Sequence, residues 1–145
     1  MTLDSIPILI GLRREQVCRA YNEEAFRYFL AVERARAERS HRFVYLALVA
    51  MRRGPGRRRV HLSGPIATAL FRGLSTSVRE VDFIGWYRES QVAAAVLAQG
   101  PKASDAGAAA LIAERIAAEL KKRLPVEESK HLRVRIVKLG GTTRA

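Results

Sequence analysis

Nine consecutive residues, Phe43 to Met51 (FVYLALVAM), form a continuously apolar run between polar flanks. The run is rich in β-branched and aromatic residues, and at that length it suits a central, fully buried strand. Upstream, Val17, Tyr21, Ala25, Phe29 and Val32 recur at three- and four-residue steps between about Arg13 and Arg39, one apolar stripe on a helix. Arg14, Glu15, Glu23, Arg27, Arg34 and Glu38 fill the other face, with Glu15–Arg19 and Glu23–Arg27 as i,i+4 pairs. The spacing predicts that this helix ends near Ser40.

Downstream, Arg52 to Arg59 (RRGPGRRR) reads as a basic loop, because Gly54, Pro55 and Gly56 break any regular element. Ser63 as N-cap and Pro65 in the first turn open a second helix. Ile66, Leu70 and Leu74 mark its buried face, and it closes near Arg79. A β-hairpin follows, with strands at about Asp82–Tyr87 and Val92–Ala98 and a polar break at Arg88, Glu89, Ser90 and Gln91. A third helix, about Ser104 to Leu124, sets Ile112, Ile116 and Leu120 on its core face. Lys121, Lys122 and Arg123 suit the negative end of its dipole, and Pro125 stops it. From Leu132 to Val137 the chain alternates, with Leu132, Val134 and Ile136 facing one way and Arg133 and Arg135 the other, as in a half-exposed edge strand.

After the first helix the order is β–α–β–β–α–β, the ferredoxin-like order. The expected fold is therefore α+β: a four-stranded antiparallel sheet with helices packed on one face, plus an extra N-terminal helix. The length of 145 residues fits a single domain over 1–145, with its core at about 24–139 and loose ends at 1–12 and 140–145. A hydrophobic fraction of 48% is enough for a core at this size.

The formal charge of +12, from 26 Lys and Arg against 14 Asp and Glu, favours polyanionic partners such as nucleic acid, phosphorylated ligands or an anionic membrane face. Solvated arginines in an alanine- and arginine-rich chain account for it equally well. Cys18 is the only cysteine, so no intramolecular disulfide forms. His41, His61 and His131 are far apart, without zinc-site spacing. The apolar stretch from Ile6 to Leu12 is short, contains Pro7 and follows an acidic residue, which makes a poor signal peptide. No run approaches the roughly 20 apolar residues of a membrane span. A cytoplasmic, reduced protein is expected.

One stretch carries a family resemblance. In Arg79 to Leu97 (REVDFIGWYRESQVAAAVL), Arg79 and Asp82 form an RxxD pattern, five residues follow, and then comes Arg88-Glu89-Ser90-Gln91-Val92. This resembles the hairpin of the GGDEF (diguanylate cyclase) family, where RxxD precedes by five residues a Gly-Gly-Asp-Glu-Phe signature at the turn. Phe26 to Met51 is similar to the family's helix and first core strand, and the resemblance covers about Glu24 to Leu139. It implies a nucleotidyl cyclase-like fold.

The departures fall on the chemistry. The family's magnesium-binding Asp-x-Asp positions correspond to about Val49 and Met51, and neither can ligate a hard cation. The acidic positions of the signature become Ser90 and Gln91, its glycines become Arg88 and Glu89, and the substrate-contacting Asn-Asp stretch is replaced by Arg52 to Arg59. Phosphoryl and nucleotidyl transfer depend on metal ions that neutralise phosphate charge. The expectation is a pseudo-enzyme with no catalytic residues, no metal and no cofactor. In the family, RxxD is an inhibitory site for cyclic di-GMP, with arginine on phosphate or guanine and aspartate on the guanine edge, as forked guanidinium bonding allows.

The candidate ligand residues are thus Arg79, Asp82 and Arg88, with Arg52, Arg53, Arg57, Arg58 and Arg59 as candidate phosphate binders. Each has a plainer reading. Arg79 and Asp82 serve equally as a surface ion pair or cap. The arginine loop has no interleaved aromatic residue for base stacking and reads as a solvated loop. Trp86 and Tyr87 either face a partner or, more simply, pack under a helix. Glu89 alone makes a poor metal site, and Cys18 is structural. The expected function is a catalytically inactive GGDEF-like signalling domain that senses cyclic di-GMP through Arg79 and Asp82. The alternative is a scaffold for another signalling protein or a second copy, with no nucleotide, using the exposed sheet face or the first helix. General nucleic-acid binding is the third reading and rests on charge alone.

Overall fold

The computed structural model of the chain describes residues 8–10, 18–56, 58–62, 64–77, 81–98 and 106–140. In chain order the elements are β1 (Ile8–Ile10), β2 (Cys18–Tyr21), α1 (Glu23–Arg39), β3 (Phe43–Arg53), β4 (Arg58–Arg59), α2 (Gly64–Ser77), β5 (Val81–Arg88), β6 (Val92–Ala98), α3 (Ala106–Lys122), α4 (Val126–Ser129) and β7 (Leu132–Gly140). The apolar run is the central strand: β3 pairs antiparallel with β6 on one edge and β7 on the other. β5 and β6 form the expected hairpin, closed by Ser90 in the left-handed region (φ 61°) and by the Gln91 N–H donating to the Arg88 carbonyl at 2.9 Å.

The sheet is wider than four antiparallel strands. β2 adds to the free edge of β5 in parallel, and β1 pairs antiparallel with β2, so that the order is β1-β2-β5-β6-β3-β7. β4 forms a short ribbon with the far end of β3, pairing Arg52 with Arg59 and Arg53 with Arg58. Part of the stretch expected to be loose, Ile8–Ile10, is therefore a strand, and so is part of the basic loop.

Helix α1 begins at Glu23 rather than near Arg13. Asn22 is extended (φ −70°, ψ 174°), and its side-chain oxygen accepts the Ala25 N–H at 2.8 Å, the usual stabilising N-cap. Tyr21 fits a helical stripe by spacing, but its backbone pairs with Gly85 of β5. Pairing and cap together override the periodicity.

Alternation along β3 sorts the core into two layers. Tyr45, Ala47, Val49 and Met51 face α2 and α3, where Leu70, Phe71, Leu74, Ile116 and Leu120 are buried. Val44 and Leu46 face α1, where Phe26 and Ala37 are buried. Burying each large side chain contributes about 1.5–3 kcal/mol. The expectation of helices on one face is corrected accordingly. Among the described residues α2 and α3 cover one face, and α1 lies on the other, because the even-numbered residues of β3 are as apolar as the odd ones. After Pro125 the single turn α4 intervenes, tied to the end of β3 by an ion pair between Glu128 and Arg53. The expected helix boundaries at Ser63, Arg79 and Ser104 and the tail after Gly140 lie outside the described residues. No described helix is long and apolar enough to cross a membrane.

Candidate functional site

Helix α1 crosses its face of the sheet obliquely, from Phe26 over Phe83 of β5 (ring centroids 5.4 Å apart) to Ala37 beside Gly140 at the end of β7. It leaves a groove of about 480 Å³ over the rest of that face. The floor is aliphatic: Leu46, Leu48 and Ala50 of β3, Val92 of β6, and Val137 and Leu139 of β7. The register Leu46↔Val137, Leu48↔Arg135, Ala50↔Arg133 puts the polar side of β7 along this floor.

Six arginines line the groove: Arg34 on the α1 wall, Arg133 and Arg135 along β7, Arg52 and Arg59 from the β3–β4 ribbon, and Arg88 at the end of β5. The described lining contains no Asp or Glu. Backbone bonds assemble the arginine-rich end. The Val60 N–H donates to the Met51 carbonyl at 2.9 Å and the Leu62 N–H to the Ser90 carbonyl at 2.7 Å, which holds the ribbon beside the hairpin turn.

Arg34 has an exposed carboxylate neighbour, Glu38, at 3.7 Å, a contact worth little in water. The Arg133 guanidinium donates to the Leu132 carbonyl at 2.8 Å and so is held to its own strand. No carboxylate among the described residues pairs with Arg59, Arg88 or Arg135. A concave, low-dielectric surface lined by one sign of charge concentrates counter-ions of the opposite sign. Guanidinium forks also match carboxylate and phosphate geometry.

The structure brings together only some of the residues that the sequence singled out. Arg52, Arg59 and Arg88 share the groove. Arg53 faces α4 and pairs with Glu128, and Arg58 is exposed outside the groove lining. Arg57 and Arg79 lie outside the described residues. Asp82 and Arg88 stand near opposite ends of β5, separated along the strand by roughly 20 Å at the usual strand rise, so they do not form one site. Arg34, Arg133 and Arg135 were not singled out. The signal for the last two was present in the alternation of β7, which reads as a solvent face unless the strand's neighbour is known.

The positions where the GGDEF resemblance would put chemistry have other occupations. Val49 and Met51 are buried against α2 and α3, on the face away from the groove. Glu89 is structural: its carboxylate accepts the Glu23 N–H at 3.1 Å, while the Glu23 carboxylate accepts the Glu89 N–H at 2.7 Å. This reciprocal pair pins the hairpin turn to the start of α1. Trp86 is 6% exposed and meets Phe71 edge to face at 5.0 Å, as core residues do. Tyr87 lines the groove with one ring face under the Arg27 guanidinium, 4.3 Å from its centroid. Among the described residues no three His, Cys, Asp or Glu side chains cluster as metal ligands.

No family model matches the chain, and no curated protein matches its sequence.

Proposed function

We propose that the chain is a non-catalytic, GGDEF-like signalling domain that docks another protein in the arginine-lined groove. The order β5-β6-β3-β7 supports a ferredoxin-like core. These strands are the second, third, first and fourth of a β–α–β–β–α–β unit, and each adjacent pair is antiparallel. On this reading β1, β2, β4 and α1 are additions to that core.

The observation that carries the functional reading is the groove lining, among the described residues six guanidinium groups around an aliphatic floor without a carboxylate. Among the described residues this lining offers no carboxylate or imidazole that would hold a metal ion or move a proton near neutral pH. It can bind: Leu48, Val137 and Leu139, the half-buried part of the floor, gain from further apolar burial and the arginines from charge-assisted hydrogen bonds.

Arg88 next to Arg52 and Arg59 also favours a second reading, a cyclic di-GMP receptor that takes the phosphates at that end of the groove. Calorimetric titration with cyclic di-GMP separates the two. Protein docking predicts no heat of binding from the intact chain. Micromolar binding lost in Arg88→Ala overturns it in favour of a nucleotide site in the groove. Binding lost in Arg79→Ala but kept in Arg88→Ala establishes an RxxD site independent of the groove. A nucleic-acid binder would instead show steep salt dependence and little preference for cyclic di-GMP.

A further inference from the structure

We infer that the occupant of the groove is an acidic amphipathic helix of a partner protein, laid on the sheet beside α1; this rests on the docking reading above. The dimensions fit a helix. The floor spans β6, β3 and β7, two inter-strand spacings or about 10 Å across, close to the diameter of one α-helix with its side chains. Along β3 it runs from Leu46 to Arg52, roughly 20 Å, the length of about 13 helical residues. Among the described residues the opposite face of the same sheet is covered by two helices, α2 and α3, and this face by α1.

The chemistry fits acidic flanks around an apolar stripe. Leu48, Val137 and Leu139, the half-buried part of the floor, would take leucine-like side chains at i, i+3, i+4 and i+7, whereas Leu46, Ala50 and Val92 beneath them are already buried. Arg34 comes from α1, Arg133 and Arg135 from β7 and Arg88 from the end of β5, so that arginines from both sides of the groove are available to carboxylates flanking that stripe. A second copy of the chain would bring its own +12 charge against these arginines. A single nucleic-acid strand would find aliphatic side chains in place of stacking rings, since Tyr87 already has a ring face covered by Arg27.

The test uses the full chain and a fluorescent synthetic peptide of about 14 residues, with leucines at i, i+3, i+4 and i+7 and glutamates flanking them. Anisotropy at about 0.15 M salt is expected to give micromolar binding. A scrambled peptide of the same composition and a polyglutamate of the same length should bind at least about tenfold more weakly. Arg88→Glu and Arg135→Glu should each weaken binding about tenfold or more, and Lys121→Glu, on α3, less than about twofold. Absence of binding, or equal binding of the scrambled or polyglutamate peptide, overturns the acidic-helix inference.

A photo-cross-linking residue in place of Leu48, applied in lysate of the source cell with the captured segment mapped, examines the docking reading separately. A captured acidic amphipathic segment supports both. A protein segment of any other character overturns the helix and leaves the docking reading standing. An adduct with nucleic acid alone, or none with protein, overturns both.

Discussion

Glu89 directs its carboxylate at the Glu23 N–H, while Arg88 beside it lines the groove. Their substitutions should therefore separate stability from binding. Glu89→Ala leaves a helix N-terminal donor to water and loosens the turn, and a cap of this kind is worth about 1 kcal/mol. Urea denaturation should show that loss with an unchanged slope, and binding to the groove should persist. Arg88→Ala removes an exposed side chain with no ion pair among the described residues. Its stability should stay within about 0.5 kcal/mol of the parent while affinity for an acidic ligand falls. The sequence marks both residues as turn positions and goes no further. The partner of Glu89 is 66 residues away, and the neighbours of Arg88 arrive on another hairpin. Val49 and Met51, by contrast, were legible as buried strand residues, because the apolar run from Phe43 to Met51 carries that signal by itself.

At the level of elements, the parallel contact of β2 with β5 depends on a close backbone approach. A Cβ at Gly85 would lie 2.6 Å from the Tyr21 carbonyl oxygen and 2.8 Å from the Phe26 ring. Backbone cannot move aside as a side-chain end can, so Gly85→Ala must displace β2 or tilt the start of α1. The expected cost is about 1–3 kcal/mol, the usual range for overpacking. Hydrogen exchange should show that amides of Cys18–Tyr21 and the first turn of α1 lose protection before those of β3. In sequence, Gly85 interrupts an apolar strand without saying why. The same non-local contact explains the misplaced start of the first helix: the apolar spacing from Val17 to Val32 is real, but Tyr21 belongs to a sheet edge and Asn22 to a cap. The strands β3, β5, β6 and β7 and the helices α2 and α3 were legible because each carries its own period and breakers. The face taken by α1 was not legible, since an all-apolar β3 accepts a helix on either side.

For the whole molecule, the +12 charge and the groove act through different rate constants. Charge spread over the surface steers an anionic partner towards the protein, whereas contacts inside the groove hold it once docked. Arg115, Lys121 and Lys122 are exposed on α3, across the sheet from the groove. Replacing all three with alanine should lower the association rate of an acidic peptide by less than about threefold, with dissociation unchanged. That deficit should shrink further as salt rises from about 0.05 to 0.3 M, because the steering field is screened over a shorter distance. Arg135→Ala should do the reverse. Arg135 lines the groove and pairs in register with Leu48, so its loss should speed dissociation about fivefold or more and barely change association. Stopped-flow fluorescence at several salt concentrations reads both constants. If the α3 triple variant and Arg135→Ala gave the same pattern, binding would follow net charge alone, and the groove would have no part in it beyond that of any basic surface.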